Sequence, residues 1–377
     1  MIEGQRERPK LHIARLPGIP VLPLAAAALQ AARLNGAPAW DARIFGELER
    51  RLVEEFEFAP TAEAADVVIC AHDASLHRQQ CLRVASELRR LARPGFFYSE
   101  SDDVRPTDPK LGIVFRSSVL GRRLEPHERV ATGCVPDLTS ERTADMSDWA
   151  PRGLRPTLGF IGHVAKGFGS IRYLQRGWQN YYGFTLRERV LRAFERDDGI
   201  ACAFTRRGRN LGPPMSGIDG DLVRQSMRRE YVDSVFSNLY ALCVRGAGNW
   251  SYRFFEALSA GRIPVLIDTD CVLPLDTSLD WDTHVCRIPI DRIEEASRLL
   301  ANYHEQHDEE QLRSKQRRNR ALWRERLAPA AFFPRVLREL AGLDDGALGD
   351  TMTSQCAGSP DSSCSTARDP TKTSSPE

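Results

Sequence analysis

VRGAGNWSYRFFEALSAGRIPVLIDTDCVLPLDTSLDW, residues 244–281, holds the pattern that decides the fold. The apolar run Leu239 to Val244 reads as a strand, and Gly246 and Gly248 then turn the chain into a short helix, Tyr252 to Ala260, with Ser251 as its N-cap. Gly261 stops that helix, and Pro264 opens a second buried strand, Val265 to Ile267. Strand, glycine turn, helix, strand is the repeating unit of a parallel α/β sheet. A helix entered through a glycine turn offers free N–H groups and the positive end of its dipole, and phosphate is the usual guest. Arg253 adds charge there. Glu256, three residues on, shares its face and can accept hydrogen bonds from ribose hydroxyls, although the plainer reading of the two residues is a solvated ion pair.

Upstream, Thr157 to Ile161 reads as a strand that runs into Gly162 and His163, then a loop with Lys166, Gly167, Gly169 and Ser170, then Arg172. The loop can bring backbone close to a diphosphate. It is neither a G-x-G-x-x-G nor a P-loop, so dinucleotide-dependent dehydrogenases and P-loop kinases lack their motifs. Phe184 to Glu195 is an amphipathic helix, and Ile200 to Phe204 is a strand that ends at Arg206 and Arg207, where cations can meet a pyrophosphate. Leu222 to Phe236 is helical. Beyond Trp281, His284 to Ile290 reads as a strand, and Asp291 to Tyr303, Glu305 to Arg326 and Pro329 to Leu343 as helices.

The first half repeats the alternation. Leu11 to Ala14 reads as a strand, Asp41 to Glu57 as a helix, Ala65 to Cys70 as a buried parallel strand ending at His72 and Asp73, and Leu76 to Leu91 as a helix. Phe96 to Tyr98 leads into an acidic cluster, Glu100, Asp102 and Asp103, at the carboxyl end where open α/β sheets bind ligands. Like-charge repulsion raises a carboxyl pKa, which suits a general base, and a solvated acidic loop is the alternative. Leu111 to Phe115 is a further strand, followed by a basic segment, Arg116 to Arg129, that faces either an anionic acceptor or water.

Composition excludes several classes. With 52 basic and 51 acidic residues among 377, the chain lacks the basic excess of nucleic-acid binders. Nine cysteines without a C-x-x-C argue for free thiols in a reducing compartment, hence a cytoplasmic protein, rather than a disulfide framework or a zinc site. No metal is expected. The apolar stretch Ile19 to Leu34 contains Pro20 and Pro23 and is too short to span a bilayer, so no membrane anchor is expected, though peripheral association stays open. The Ser-, Thr- and Pro-rich segment from Asp344 to Glu377 reads as disordered.

The order Ser251-x-Arg253-x-x-Glu256-Ala257, Gly261-x-Ile263-Pro264-Val265, Leu273-Pro274-Leu275 and Leu279-Asp280-Trp281 resembles the exostosin family of glycosyltransferases, family 47. It departs at Arg262, where many members carry Cys. The resemblance implies a GT-B fold: two doubly wound, Rossmann-like α/β domains facing across a cleft, with residues 1–150 on the acceptor side and 151–343 binding the nucleotide-sugar. It implies transfer of a sugar, with inversion, from a nucleotide diphosphate donor, a UDP-sugar above all, to a saccharide hydroxyl, with no other cofactor required. The implied donor residues are Gly162, His163, Arg172, Arg206, Arg207, Ser251, Arg253 and Glu256; the candidate bases are Asp102, Asp103 and Asp73. A fucosyltransferase-like enzyme using a GDP-sugar and a catalytically silent glycan- or nucleotide-binding protein are the alternatives.

Overall fold

The computed structural model describes residues 8–33, 41–142, 149–164, 178–207 and 218–343. Its first sheet is built from β1 (Lys10–Ala14), β2 (Glu57–Phe58), β3 (Val67–Asp73), β4 (Gly95–Ser99), β5 (Val114–Arg116) and β6 (Glu128–Val130), in the order β2-β1-β3-β4-β5-β6 with every pair parallel. The second comprises β7 (Thr157–His163), β8 (Ala201–Arg207), β9 (Tyr240–Cys243), β10 (Ile263–Asp268) and β11 (Cys286–Pro289), ordered β11-β10-β9-β7-β8 and again all parallel. Both sheets wind alike. In each, the second strand lies on one side of the first and the third strand on the other, which leaves a crevice at the carboxyl ends of β1 and β3, and of β7 and β9, where such sheets take ligands. The two α/β domains expected of a GT-B architecture are therefore present.

The helices that cover these sheets are α1 (Pro23–Ala31), α2 (Ala42–Glu55), α3 (Arg78–Arg90), α4 (Trp178–Glu195), α5 (Ile218–Phe236), α6 (Tyr252–Ser259), α7 (Ala296–Glu305), α8 (Glu309–Leu322) and α9 (Pro329–Leu340). Two local expectations change, and one stretch left without an element gains a helix. The proline-bearing stretch after Ile19 forms α1, because Pro23 falls at its start, where a missing N–H costs nothing. The strand expected from Leu111 begins only at Val114, since a 3₁₀ turn, Pro109–Leu111, ends at Gly112 with φ +81°. The helix expected from Asp291 opens as a 3₁₀ segment, Ile290–Glu295, before α7 begins.

Helix α9 follows the second sheet in sequence but packs on the first. Phe333 meets Phe96 and Tyr98 edge-on at 5.9 Å between ring centroids, and Phe332 meets Phe115 at 6.4 Å. Pro334, inside α9, cannot donate to the carbonyl four residues earlier, that of Ala330. Arg51 of α2 supplies the missing donor, its Nη1 lying 2.8 Å from Ala330 O. The buried apolar cluster around these rings continues through Phe254, Phe255 and Leu258 of α6, so one core joins the two halves. Truncating Phe333, 1% exposed, should therefore destabilise the whole fold: Phe333→Ala is expected to lower the unfolding free energy by about 3–5 kcal/mol, read by urea denaturation.

Candidate active site

The crevice between β7 and β9 collects positive charge. Arg187 of α4 is 7% exposed and has no carboxylate partner among the described residues. Its Nε donates to Arg245 O (3.0 Å), its Nη1 to His163 O (3.1 Å) and its Nη2 to Val244 O (3.4 Å), so it bridges the ends of both strands. Arg245, 8% exposed, donates to Asn249 Oδ1 (3.1 Å) and Ala247 O (2.8 Å), and its Nε is buried with no partner. Arg253 of α6 donates through Nε (3.0 Å) and Nη2 (2.5 Å) to Ile161 O, with its guanidinium 4.4 Å from the centre of the Phe160 ring. Burial, and for Arg187 also the charge of Arg253, push the pKa values of Arg187 and Arg245 below the usual arginine range. A guanidinium keeps its proton in proteins, so the consequence is unneutralised positive charge, the electrostatics of an anion site.

The expected donor residues divide. Gly162 seats Arg253, because any side chain there would collide with the guanidinium. His163 lies at the crevice, 4% exposed, its ring edge-on to Phe184 at 4.6 Å and its pKa lowered by burial and by Arg187. Ser251 precedes α6 as expected but makes no capping bond; its Oγ is buried without a partner and lines a cavity at the junction of the halves. Arg253 and Glu256 do not pair with each other. Glu256 instead accepts from Arg228 Nη1 (3.1 Å) and Tyr231 OH (2.5 Å), and Arg228 forks onto Glu141 at 2.7 and 2.9 Å. Arg206 and Arg207 are a correction: Arg206 is held by Glu188 and Glu195 and Arg207 by Glu230, so their charges are already neutralised. Arg172, the loop beyond Val164, residues 208–217 and the segment from Asp344 lie outside the described residues.

The acidic side sorts equally sharply. Asp73 Oδ1 accepts from the backbone N–H of Ser75 and Leu76 (both 2.9 Å) and its Oδ2 from that of Glu100 (2.8 Å), so it braces the turn beyond β3 instead of facing a substrate. His72 is a structural residue: Nε2 accepts from Leu16 N–H (2.8 Å) and Nδ1 donates to Pro20 O (2.9 Å). Asp103 is bound to Arg105, which draws its pKa down and makes it a poor base. Arg116, from the basic segment, is buried against Glu128 at 2.6 Å and cannot face an acceptor. Asp102 and Glu100 remain. Asp102 accepts from Trp250 Nε1 across the cleft (3.3 Å). Glu100, half-buried with no hydrogen bond to its carboxylate among the described residues, has its pKa raised by burial first, then by Asp73 and Asp102.

Arg187 and Arg245 are the residues that sequence reasoning passed over, and Glu100 was named in the acidic cluster but not among the candidate bases. Arg187 lies on the apolar stripe of α4 with Phe184, Leu191 and Phe194, and an arginine on such a stripe is the visible signal. Arg245 stands two residues beyond β9, as Arg206 and Arg207 stand at the end of β8.

Against known proteins, residues 179–303 match the model of the exostosin GT47 domain. This stretch is similar to an exostosin GT47 domain. It contains Arg187, Arg245, Arg253 and Glu256. A probable glucuronosyltransferase of Oryza sativa subsp. japonica is 34% identical over 87 residues, which is 19% of this chain and 21% of the relative. Exostosin-1 of Drosophila melanogaster is 40% identical over 58 residues, 15% of this chain and 8% of that protein. The chain thus spans about a fifth of the curated relatives it first matches. Among solved structures, HepE of Anabaena in complex with UDP aligns over 89% of this chain and 100% of its own, at 11% identity and TM-score 0.43.

Two outcomes follow from this geometry. Arg245→Ala should weaken inorganic pyrophosphate by about 10- to 150-fold in calorimetric titration, using roughly 1.5–3 kcal/mol for lost charged hydrogen bonds, whereas Arg207→Ala should leave it unchanged. His72 must stay neutral to accept from Leu16, and its folded pKa lies below the ordinary 6.5 through burial. Its contribution is complete above that value and lost as the pH falls. The urea midpoint should drop from about pH 7 to about pH 5, with a shallower drop in His72→Gln.

Proposed function

We propose that the protein transfers a sugar from a UDP-sugar to a hydroxyl of a saccharide acceptor, with inversion at the anomeric carbon. One observation carries this reading: Arg187, Arg245 and Arg253 converge on one crevice with only carbonyl oxygens as hydrogen-bond partners among the described residues, and the unpaired carboxylates Glu100 and Asp102 belong to the opposite half. The arginines and the N-terminus of α6 would stabilise the departing diphosphate, and Glu256, fixed by Arg228 and Tyr231, has second lone pairs on its oxygens for ribose hydroxyls. Glu100 would take the acceptor proton, because a raised pKa strengthens it as a base. The exostosin GT47 match and the plant relatives named as glucuronosyltransferase and xylosyltransferase support the uridine donor.

Seven described cysteines are free thiols, which supports a reducing compartment, and we place the protein in the cytoplasm on that ground. No described helix is long and apolar enough to cross a membrane.

Calorimetry with UDP and uridine, repeated with GDP and guanosine, tests the donor. Tighter binding of UDP than of uridine and of GDP is expected, and Arg253→Ala should remove much of the diphosphate increment; preference for GDP would move the protein to the fucosyltransferase-like class. Turnover of UDP-sugars with a glycan panel tests catalysis. Glu100→Gln should lower it by about 100- to 10,000-fold with UDP affinity retained, and the acid limb of the pH profile should lie above the ordinary carboxyl value of 4.5. Wild-type turnover in this variant would remove Glu100 from the mechanism.

A further inference from the structure

At the mouth of the cleft, Trp250 and Tyr252 form an aromatic shelf. Their ring centroids are 4.2 Å apart at 53°, and Tyr252 is 49% exposed, unusual for so large a ring. The shelf is fixed from the opposite half, since Trp250 Nε1 donates to Asp102 Oδ1 at 3.3 Å. Gly248 permits the approach: a Cβ there would collide with both Asp102 and the Trp250 ring. Beside it, the buried Oγ of Ser251 has no hydrogen-bond partner among the described residues and lines a cavity together with Trp250, Ser117 and Phe254.

Two chemistries meet here. Flat rings pack against the C–H face of a pyranose, and carboxylates and hydroxyls accept or donate to its hydroxyl groups. Neither Asp102 nor Glu100 has an ion-pair partner among the described residues, so both present negative charge to whatever lies on the shelf. Of the basic segment that begins in β5, Arg116 pairs with Glu128, Arg122 with Asp270, and Arg129 donates to Pro126 O and Glu128 O, while Arg123 is exposed. A sugar bearing its own carboxylate would meet repulsion from both, and the crevice cations whose charges reach Asp102, Arg187 and Arg245, are answered by the diphosphate when UDP is bound.

We propose that the Trp250–Tyr252 shelf is the acceptor subsite and that, with Asp102, it selects an uncharged pyranose end over a uronic acid. This rests on the glycosyltransferase reading above for what happens to the bound sugar, but binding can be read without turnover. Saturation-transfer NMR with paired aryl glycosides, glucoside against glucuronide and galactoside against galacturonide, in the presence of UDP, measures the preference directly. The neutral member should bind about 10- to 100-fold more tightly. Tyr252→Ala, at a half-exposed position, should weaken the neutral glycoside at least tenfold and leave UDP affinity unchanged, whereas Asp102→Asn should bring the neutral-to-uronide ratio toward one. Equal or tighter binding of uronides, or unchanged glycoside affinity in Tyr252→Ala, would overturn the proposal. Failure of UDP to bind while glycosides still prefer the shelf would instead overturn the donor reading alone.

Discussion

Arg187 is a buried cation whose hydrogen bonds among the described residues go only to carbonyl oxygens, and the second sheet is arranged around that constraint. Removing such a charge from water is costly unless something answers it. Here the answer is partial: three carbonyls at the ends of β7 and β9 take its donors, and these are the strand ends that part at the crevice. Arg245 and Arg253 are held in the same way, by carbonyls and by the faces of Tyr182 and Phe160. Carbonyl dipoles orient a guanidinium without cancelling its charge. The fold thus keeps an anion-binding potential that a nearby carboxylate would have removed, as Glu188, Glu195 and Glu230 do remove it at Arg206 and Arg207.

That contrast marks the limit of what the sequence could show. The α/β alternation and the helix after the glycine turn were legible, because apolar period and glycine position dictate them locally; the return of the last helix to the first sheet was not, because it is set by tertiary packing. Arginines after strand ends were legible as a class. Which of them stays unneutralised was not, because the neutralising carboxylates arrive from α4 and α5, distant in sequence. The same holds for the acidic loop: Asp103 is lost to Arg105 two residues on, whereas Glu100 gains its raised pKa from tertiary burial. Ser251 shows the reverse case, a good N-cap by type that forgoes the cap and leaves its hydroxyl in a cavity.

Asn249 joins the two halves. It is 2% exposed; its N–H donates to Ser118 Oγ, its side-chain amide to Val119 O and Asp270 O, and its Oδ1 accepts from Thr269 and Arg245. One amide therefore fixes the loop after β5 against the loop after β9 and orients an arginine of the anion site in the same act. The linker adds bidentate contacts, Asp137 with Arg320 and Glu141 with Arg228, the latter leading to Glu256. Cleft geometry and charge placement are set by one network, with little freedom for either to change alone.

The helix carrying Phe332 and Phe333 is made only after the entire second sheet, yet it covers the aromatic face of the first. A ribosome synthesising this chain in order therefore releases an N-terminal sheet whose Phe96, Tyr98 and Phe115 rings have no cover until the last helix emerges. The shared packing of the two halves is therefore completed late in synthesis, and until then the first half exposes aromatic surface of the kind that favours aggregation.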